Sequence, residues 1–395
     1  MRGESGEARN PAPGAAVPAR ADVVVAGAGP VGLFAALLLA RAGADVVVLE
    51  RRTRRSGHSR AIGIHSPALA ALESAGVAAD LVAAGVRIPG GQARCRGRLL
   101  AELSFEPVPG PYPFVLSLPQ AETEGMLERH LGRAGVEPRR GVEVTGLRRV
   151  AKGVVLQTNW GEIEARFVVA ADGARSVVRD AAGIAAPVRT YPDAYVMGDF
   201  AETSGREADA RAVLYLESAG VVESFPLPGA RRRWVVRTGR RAGEPELDAL
   251  VEAVRRRTGV VLDPGSNTML SAFGVRRRIA EQFSAGRVAL VGDAAHEISP
   301  IGGQGMNLGW LDAVALAPHL LSGLSGDEVG PRLESWAAQR RAAARAAAQR
   351  AHLNMALGRP VPGLLLPVRN GLLGSVAAVP SLHDAVARTF TMTSR

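Results

Sequence analysis

Val23-Val24-Val25-Ala26-Gly27-Ala28-Gly29-Pro30-Val31-Gly32 is the stretch from which the fold is read. A β-branched apolar run stops at a glycine. The glycines keep a G-x-G-x-x-G spacing and lead into a helix-like run, Leu33-Phe34-Ala35-Ala36-Leu37-Leu38-Leu39-Ala40. Strand, tight turn and helix in that order make a seat for a dinucleotide pyrophosphate. Gly27 permits the turn, Gly29 lets the backbone approach the phosphates, and Gly32 lets the helix lie close to the strand. Pro30 stands at the start of that helix, whose free N–H groups and positive end face the phosphate charge. A second apolar strand, Asp45-Val46-Val47-Val48-Leu49, ends in Glu50 and Arg51. Glu50 lies eighteen positions beyond Gly32, close to the ~20 expected for a carboxylate that binds a ribose hydroxyl pair. A glycine-rich turn also serves ordinary packing, so the remainder of the chain has to support the reading.

The chain has 395 residues, 47% of them hydrophobic, which is ample core for two or three domains. The single cysteine, Cys95, excludes an intramolecular disulfide, a cysteine metal cluster and a redox-active cysteine pair, and it fits a reducing cytoplasm. No metal site is expected. The net charge of +10 would suit nucleic acid or an anionic membrane. The arginines, however, come in scattered short runs without interleaved aromatics, so solvated faces and a phosphate-rich cofactor explain them better. The first 20 residues, rich in Gly, Ala and Pro, read as a disordered tail without a signal-peptide core. Near the other end Leu364-Leu365-Leu366 is interrupted by Pro367, Arg369 and Asn370, so no transmembrane helix is expected.

The expected architecture is α/β, a Rossmann-like dinucleotide-binding domain interleaved with a mainly antiparallel β-sheet domain. The first takes residues 21–85, 112–182 and 274–331, and the second takes 86–111 and 183–273. The second is mostly strand, interrupted by a helix from Pro245 to about Arg257. A C-terminal helical segment, 332–395, opens with a long Arg/Ala helix.

Two further constellations bear on chemistry. Asp172-Gly173-Ala174-Arg175-Ser176 stands at a strand end, where open α/β sheets bind ligands, although taken alone it reads better as an N-capped turn, Asp or Ser opening a helix from Val177 to Ala182. Gly292-Asp293-Ala294-Ala295-His296 is followed by Pro300-Ile301-Gly302-Gly303-Gln304-Gly305-Met306-Asn307. Here Asp293 can bind a ribityl or ribose hydroxyl. The glycine loop opens a helix whose N-terminus suits the partial negative charge of a reduced flavin.

Together these motifs, from about Ala21 to Trp336, resemble the FAD-dependent aromatic hydroxylases, the single-component flavoprotein monooxygenases of the p-hydroxybenzoate hydroxylase type. The resemblance implies that Gly27, Gly29, Gly32 and Glu50 hold the ADP half of FAD. It implies that Asp172 and Gly173 contact FAD and take part in pyridine nucleotide use, and that Gly292 and Asp293 hold the ribityl chain. Pro300, Gly302, Gly303, Gly305, Met306 and Asn307 would form the loop at the isoalloxazine. Arg60 and Gln120 also match the family pattern. The larger members carry a C-terminal thioredoxin-like domain, whereas only about 60 residues follow Trp336, leaving monomer and homodimer both open.

The implied cycle uses NADPH or NADH to reduce FAD. O₂ adds at flavin C4a, and the hydroperoxide transfers one oxygen atom to a bulky aromatic, polyketide or indole-type small molecule. A non-oxygenating flavoenzyme, such as a prenyl-chain reductase or halogenase, is the alternative. The cofactor carries the hard chemistry, so no side-chain nucleophile is needed. His65 and His296 are candidate bases near the flavin, with structural histidines the blander reading. Pro300 is expected beside the flavin. Tyr195, Met197, Phe225 and Trp234 on the middle sheet can face the substrate or simply pack.

Overall fold

The computed structural model describes residues 18–55, 61–202, 210–239 and 244–393. Most of the stretch read as a disordered tail, and Arg60, lie outside the described residues. The principal strands are β1 (Arg20–Ala26), β2 (Val46–Glu50), β3 (Gly90–Cys95), β4 (Arg98–Ser104), β5 (Gly161–Ala170) and β6 (Val188–Ala201). They continue with β7 (Ala212–Glu217), β8 (Gly220–Leu227), β9 (Arg231–Gly239), β10 (Met269–Ile279) and β11 (Val288–Leu290). The helices that matter most are α1 (Pro30–Arg41), α2 (Leu247–Thr258), α3 (Gln304–Leu324), α4 (Gly330–Leu357), α5 (Leu366–Ala378) and α6 (Pro380–Phe390).

The first sheet is parallel at its centre, in the order β11-β5-β1-β2. Val25 lies between Val48 on one side and Val169 on the other, and Val169 in turn meets Ala289. Val23, Val24 and Val25 have no solvent exposure, as their uninterrupted apolar run requires of a strand covered on both faces. Helices α1 and α3 pack against each other beside this sheet. The C-terminal ends of β1, β5 and β11 therefore converge on the Gly27, Asp172 and Gly292 turns.

The second sheet runs β4-β3-β7-β8-β9-β6-β10, with the short strand His296–Glu297 at its edge. It is antiparallel except where β3 meets β7. The segment 86–111 thus supplies two strands to the sheet formed by 188–279. Strand β10 runs unbroken through position 274, where the sequence suggested a boundary, and pairs onward with His296–Glu297. The two sheets are stitched together there.

Alternation along the second sheet gives it two covered faces. On one, Tyr195, Met197, Leu216, Val221, Val235 and Phe273 form a cluster that Ile301 and Met355 join. On the other, Phe200, Val222, Trp234 and Val236 pack beneath α2 through Leu250 and Val254. Helix boundaries fall within about three residues of their sequence expectations, as capping permits.

Candidate active site

A cavity of about 1500 Å³ begins at the glycine turn and ends against the first of those two faces of the second sheet. Single small-molecule sites usually enclose about 300–1000 Å³, so this one has room for an extended cofactor and a second ligand.

At the first end, Gly27 adopts φ +105°, and a Cβ there would stand 2.3 Å from the Ala171 carbonyl oxygen. A Cβ on Gly32 would stand 2.0 Å from the carbonyl oxygen of Gly27. Gly29 is different, because a Cβ there meets no atom within 4 Å and the residue lines the cavity. Glu50 holds this turn in place. Its Oε2 accepts from the Ala28 N–H at 2.9 Å and its Oε1 from the Arg52 N–H at 2.9 Å. Pro30, Arg51 and Gln120 also line this end. The carbonyl of Pro30 accepts from Trp310 Nε1 at 3.0 Å, tying α1 to α3.

Midway, Asp172 and Gly173 border the cavity with Gly292 and Asp293. Asp172 Oδ2 accepts from the Val178 N–H at 3.2 Å, while its buried Oδ1 has no partner among the described residues. Burial pushes the Asp172 carboxyl above the usual carboxylate range. Asp293 is open to the cavity yet deeply surrounded by protein, and that desolvation raises its carboxyl, partly offset by the nearby His296. Two acidic oxygen sets along one channel are what a chain of ligand hydroxyl donors requires.

Farther along, Pro300, Gly302, Gly303, Gly305 and Met306 line the cavity around the N-terminus of α3. Asn307 does not. Its side chain has no exposure and is spent on a clamp, accepting from the His65 N–H at 2.8 Å and donating to the Gly63 and Gly303 carbonyls at 2.9 and 2.6 Å. Its motif position therefore corresponds to loop support rather than direct contact. His65 Nε2 lies 3.2 Å from the Gly302 carbonyl, which can only accept, so Nε2 carries the proton and Nδ1 presents a lone pair. Burial lowers the His65 pKa to about 4, so the ring is neutral near pH 7 and a weak base. Positioning the glycine loop suits it better than taking a proton. His296 is fully buried with Nε2 2.5 Å from Asp312 Oδ2, away from base duty.

At the sheet end, Tyr195, Met197 and Phe225 line the cavity. Trp234 does not. It faces α2 and stacks on Tyr215 with ring centroids 5.9 Å apart. The strand's phase puts Arg233 and Val235, not Trp234, on the cavity side.

Two features escaped the sequence reading. The C-terminal helices close the cavity, through Leu373 of α5 and Leu382, Val386 and Phe390 of α6. Glu223, in the apolar strand Val221-Val222-Glu223-Ser224-Phe225, is 7% exposed and lines the cavity. Burial pushes its carboxyl up to about 7.

A raised folded-state pKa has a defined consequence. The unfolded chain ionises at the ordinary 4.5, so between there and about 7 the folded state holds the extra proton. Stability is then full below about pH 4.5 and falls as pH rises towards 7. Glutamine is neutral throughout. Relative to the parent, Glu223→Gln should therefore gain roughly 3 kcal/mol between about pH 4 and about pH 8. Urea midpoints across that range will read the widening gap, and a constant gap would contradict the burial argument.

The fold and cavity define an FAD-binding oxidoreductase. The family model for the FAD binding domain matches residues 20–351. The chain belongs to that family, within the FAD-dependent aromatic hydroxylases, and is a flavoprotein monooxygenase by descent. It is 32% identical over 328 residues to a rifampicin monooxygenase of Streptomyces venezuelae, covering 81% of this chain and 68% of that one. It is 34% identical over 328 residues to a dialkyldecalin synthase of Streptomyces rugosporus, covering 81% and 69%. Among solved structures it resembles p-nitrophenol 4-monooxygenase from Pseudomonas putida with TM-score 0.86 and 26% identity, covering 95% of this chain and 98% of that one. Among the described residues no single helix is long and apolar enough to cross a membrane.

Proposed function

We propose that the protein uses FAD and NAD(P)H to insert one oxygen atom from O₂ into a bulky, largely apolar ring or polyketide-type substrate in the cytoplasm. The observation that carries this reading is the single cavity shared by the glycine turn and the second sheet. Its sheet end is walled by Met197, Phe225 and Val235. When bound, the flavin supplies electron storage and oxygen activation.

The chain's own residues do the rest. Glu50 accepts from the ribose hydroxyls of the cofactor while its bonds to Ala28 and Arg52 keep it aimed. Asp172 and Asp293 offer carboxylate oxygens along the channel. The Gly302–Gly303 turn, braced by Asn307 and His65, presents backbone N–H groups at the α3 N-terminus, where partial positive charge stabilises an electron-rich ring. Leu373, Val386 and Phe390 keep water from the reacting end. Tyr195, Met197 and Phe225 contact the substrate.

Purified protein should be yellow and should couple NAD(P)H oxidation to the appearance of label from ¹⁸O₂ in product. Unlabelled product would sink the oxygenase reading. The likeness to a dialkyldecalin synthase supports a second reading, a flavin-bearing synthase rather than an oxygenase. Turnover under strict anaerobiosis would favour it. Glu50→Ala should weaken FAD binding roughly 10- to 100-fold, since a hydrogen bond to a charged group contributes about 1.5–3 kcal/mol. Titration of apoprotein with FAD measures this, and an unchanged affinity would remove Glu50 from the cofactor site.

A further inference from the structure

Glu223 stands in a row of cavity-facing residues that crosses seven strands. Strand register aligns Ala101, Ala93, Leu214, Glu223, Val235, Met197 and Ser271, one from each strand. Its carboxyl is the sole ionisable group of that row. It has no hydrogen-bond or ion-pair partner among the described residues, although it is 7% exposed. Burying a carboxyl without a partner is costly, so such a group is informative when it faces a ligand cavity.

The cations on the strands flanking Glu223 are engaged. Arg233 meets Asp199 with both arms, at 2.7 and 2.8 Å. Arg237 donates to Asp193 at 2.9 Å, and Asp193 also takes Arg359 at 2.8 Å. The other titratable side chains lining this end are Tyr195 from β6, Glu102 from β4, Arg276 from β10 and His383 from α6. The Tyr195 hydroxyl is buried and unpartnered among the described residues, and that burial, followed by the Glu223 charge, raises its pKa. The row itself therefore offers an acceptor to a ligand and holds no cation to pair with a ligand carboxylate, while Arg276 stands outside it at an exposed position of β10.

We infer that Glu223 is a specificity-determining residue that accepts a hydrogen bond from a ring hydroxyl and turns away ring carboxylates. The inference rests on the proposal that the sheet end of the cavity receives the substrate. A hydroxylated, uncharged ring satisfies the carboxyl. A ring that lacks the donor leaves it unpaired, and a carboxylate meets a like charge in a desolvated wall.

Three probes that share a ring and differ in one substituent test this, namely 1-naphthol, 1-methoxynaphthalene and 1-naphthoate. Equilibrium dialysis of the full-length, FAD-loaded protein at about pH 8, read by probe absorbance, needs no turnover. The parent should bind 1-naphthol about tenfold or more above the other two. Glu223→Leu should erase the preference for 1-naphthol over 1-methoxynaphthalene. Glu223→Gln, whose amide oxygen still accepts, should keep that preference and admit 1-naphthoate. If the leucine variant does not fold, the glutamine variant decides alone through 1-naphthoate. The inference is overturned if the parent binds none of the probes, binds 1-methoxynaphthalene or 1-naphthoate as well as 1-naphthol, or keeps its order after substitution. A protein that takes up no FAD overturns the flavoenzyme reading separately, because dialysis still ranks the probes.

Discussion

Gly29→Ala should unfold at the same urea concentration as the parent, or slightly higher, and yet lose FAD. Gly29 has φ −76° and ψ 178°, a conformation any residue adopts, and a Cβ there meets nothing within 4 Å. Replacing a glycine at a compatible site stabilises by about 0.4–1 kcal/mol through the unfolded chain. The added methyl projects into the cavity at the turn assigned to the pyrophosphate. FAD affinity should fall at least about tenfold, or 1.4 kcal/mol. Gly32→Ala should do the reverse. Its Cβ would lie 2.0 Å from the Gly27 carbonyl oxygen and 3.1 Å from the Ala171 Cβ. Neither backbone atom nor packed methyl can swing aside, so α1 must lift from the turn, at a cost at or above the usual 1–3 kcal/mol of overpacking. Its apoprotein should melt early before any ligand is added. Denaturant unfolding of both apoproteins, paired with FAD titration, separates the two roles. Equal destabilisation by both substitutions would refute the division.

That contrast also explains what was legible in the sequence. Glycine spacing records a local backbone constraint, so the turns at Gly27, Asp172 and Gly292 could be found without knowing their partners. Their convergence follows from parallel pairing of β1, β5 and β11, which alternating strands and helices imply. The face taken by Trp234 stayed open for a different reason. Both faces of the second sheet are covered, one by α2 and one by the cavity, so an Arg-Arg-Arg-Trp-Val-Val-Arg run carries no sign of which side is which. Glu223 escaped because an acid within an apolar strand reads as the solvent side. Its burial comes from strands up to about 130 positions away in sequence, and no local pattern encodes that. Asn307 belongs to the right loop, but only three-dimensional contacts reveal that its amide is used up on Gly63, His65 and Gly303. The closing of the cavity by α5 and α6 is likewise a docking event between remote segments.

Asp312→Ala should be strongly destabilising although it lies away from the glycine turns. Asp312 has no exposure, and three elements meet on it. Its Oδ2 lies 2.5 Å from His296 Nε2, and its Oδ1 accepts from Arg340 Nε of α4 at 2.6 Å. Its backbone carbonyl accepts from Trp336 Nε1 at 3.3 Å and would survive the substitution. Alanine leaves a buried guanidinium N–H and a fully buried imidazole N–H without an acceptor. Removing one partner of a buried ionic group costs about 3–5 kcal/mol, a large share of a total stability of roughly 5–15 kcal/mol. The damage should reach the ligand channel as well. His296 is three residues beyond Asp293, and it anchors the short strand that pairs with β10 through Ile279. Once His296 is released, the Gly292-Asp293 turn loses its outer support, so FAD should dissociate more readily even below the unfolding transition. Asp312→Asn keeps the shape and one acceptor oxygen, and should fall between the parent and alanine in both readouts. Urea unfolding together with the rate of flavin loss on dilution measures the pair. A destabilisation below about 1 kcal/mol would mean that the network merely fills space, whereas a stability loss with unchanged flavin retention would confine it to joining α3 and α4.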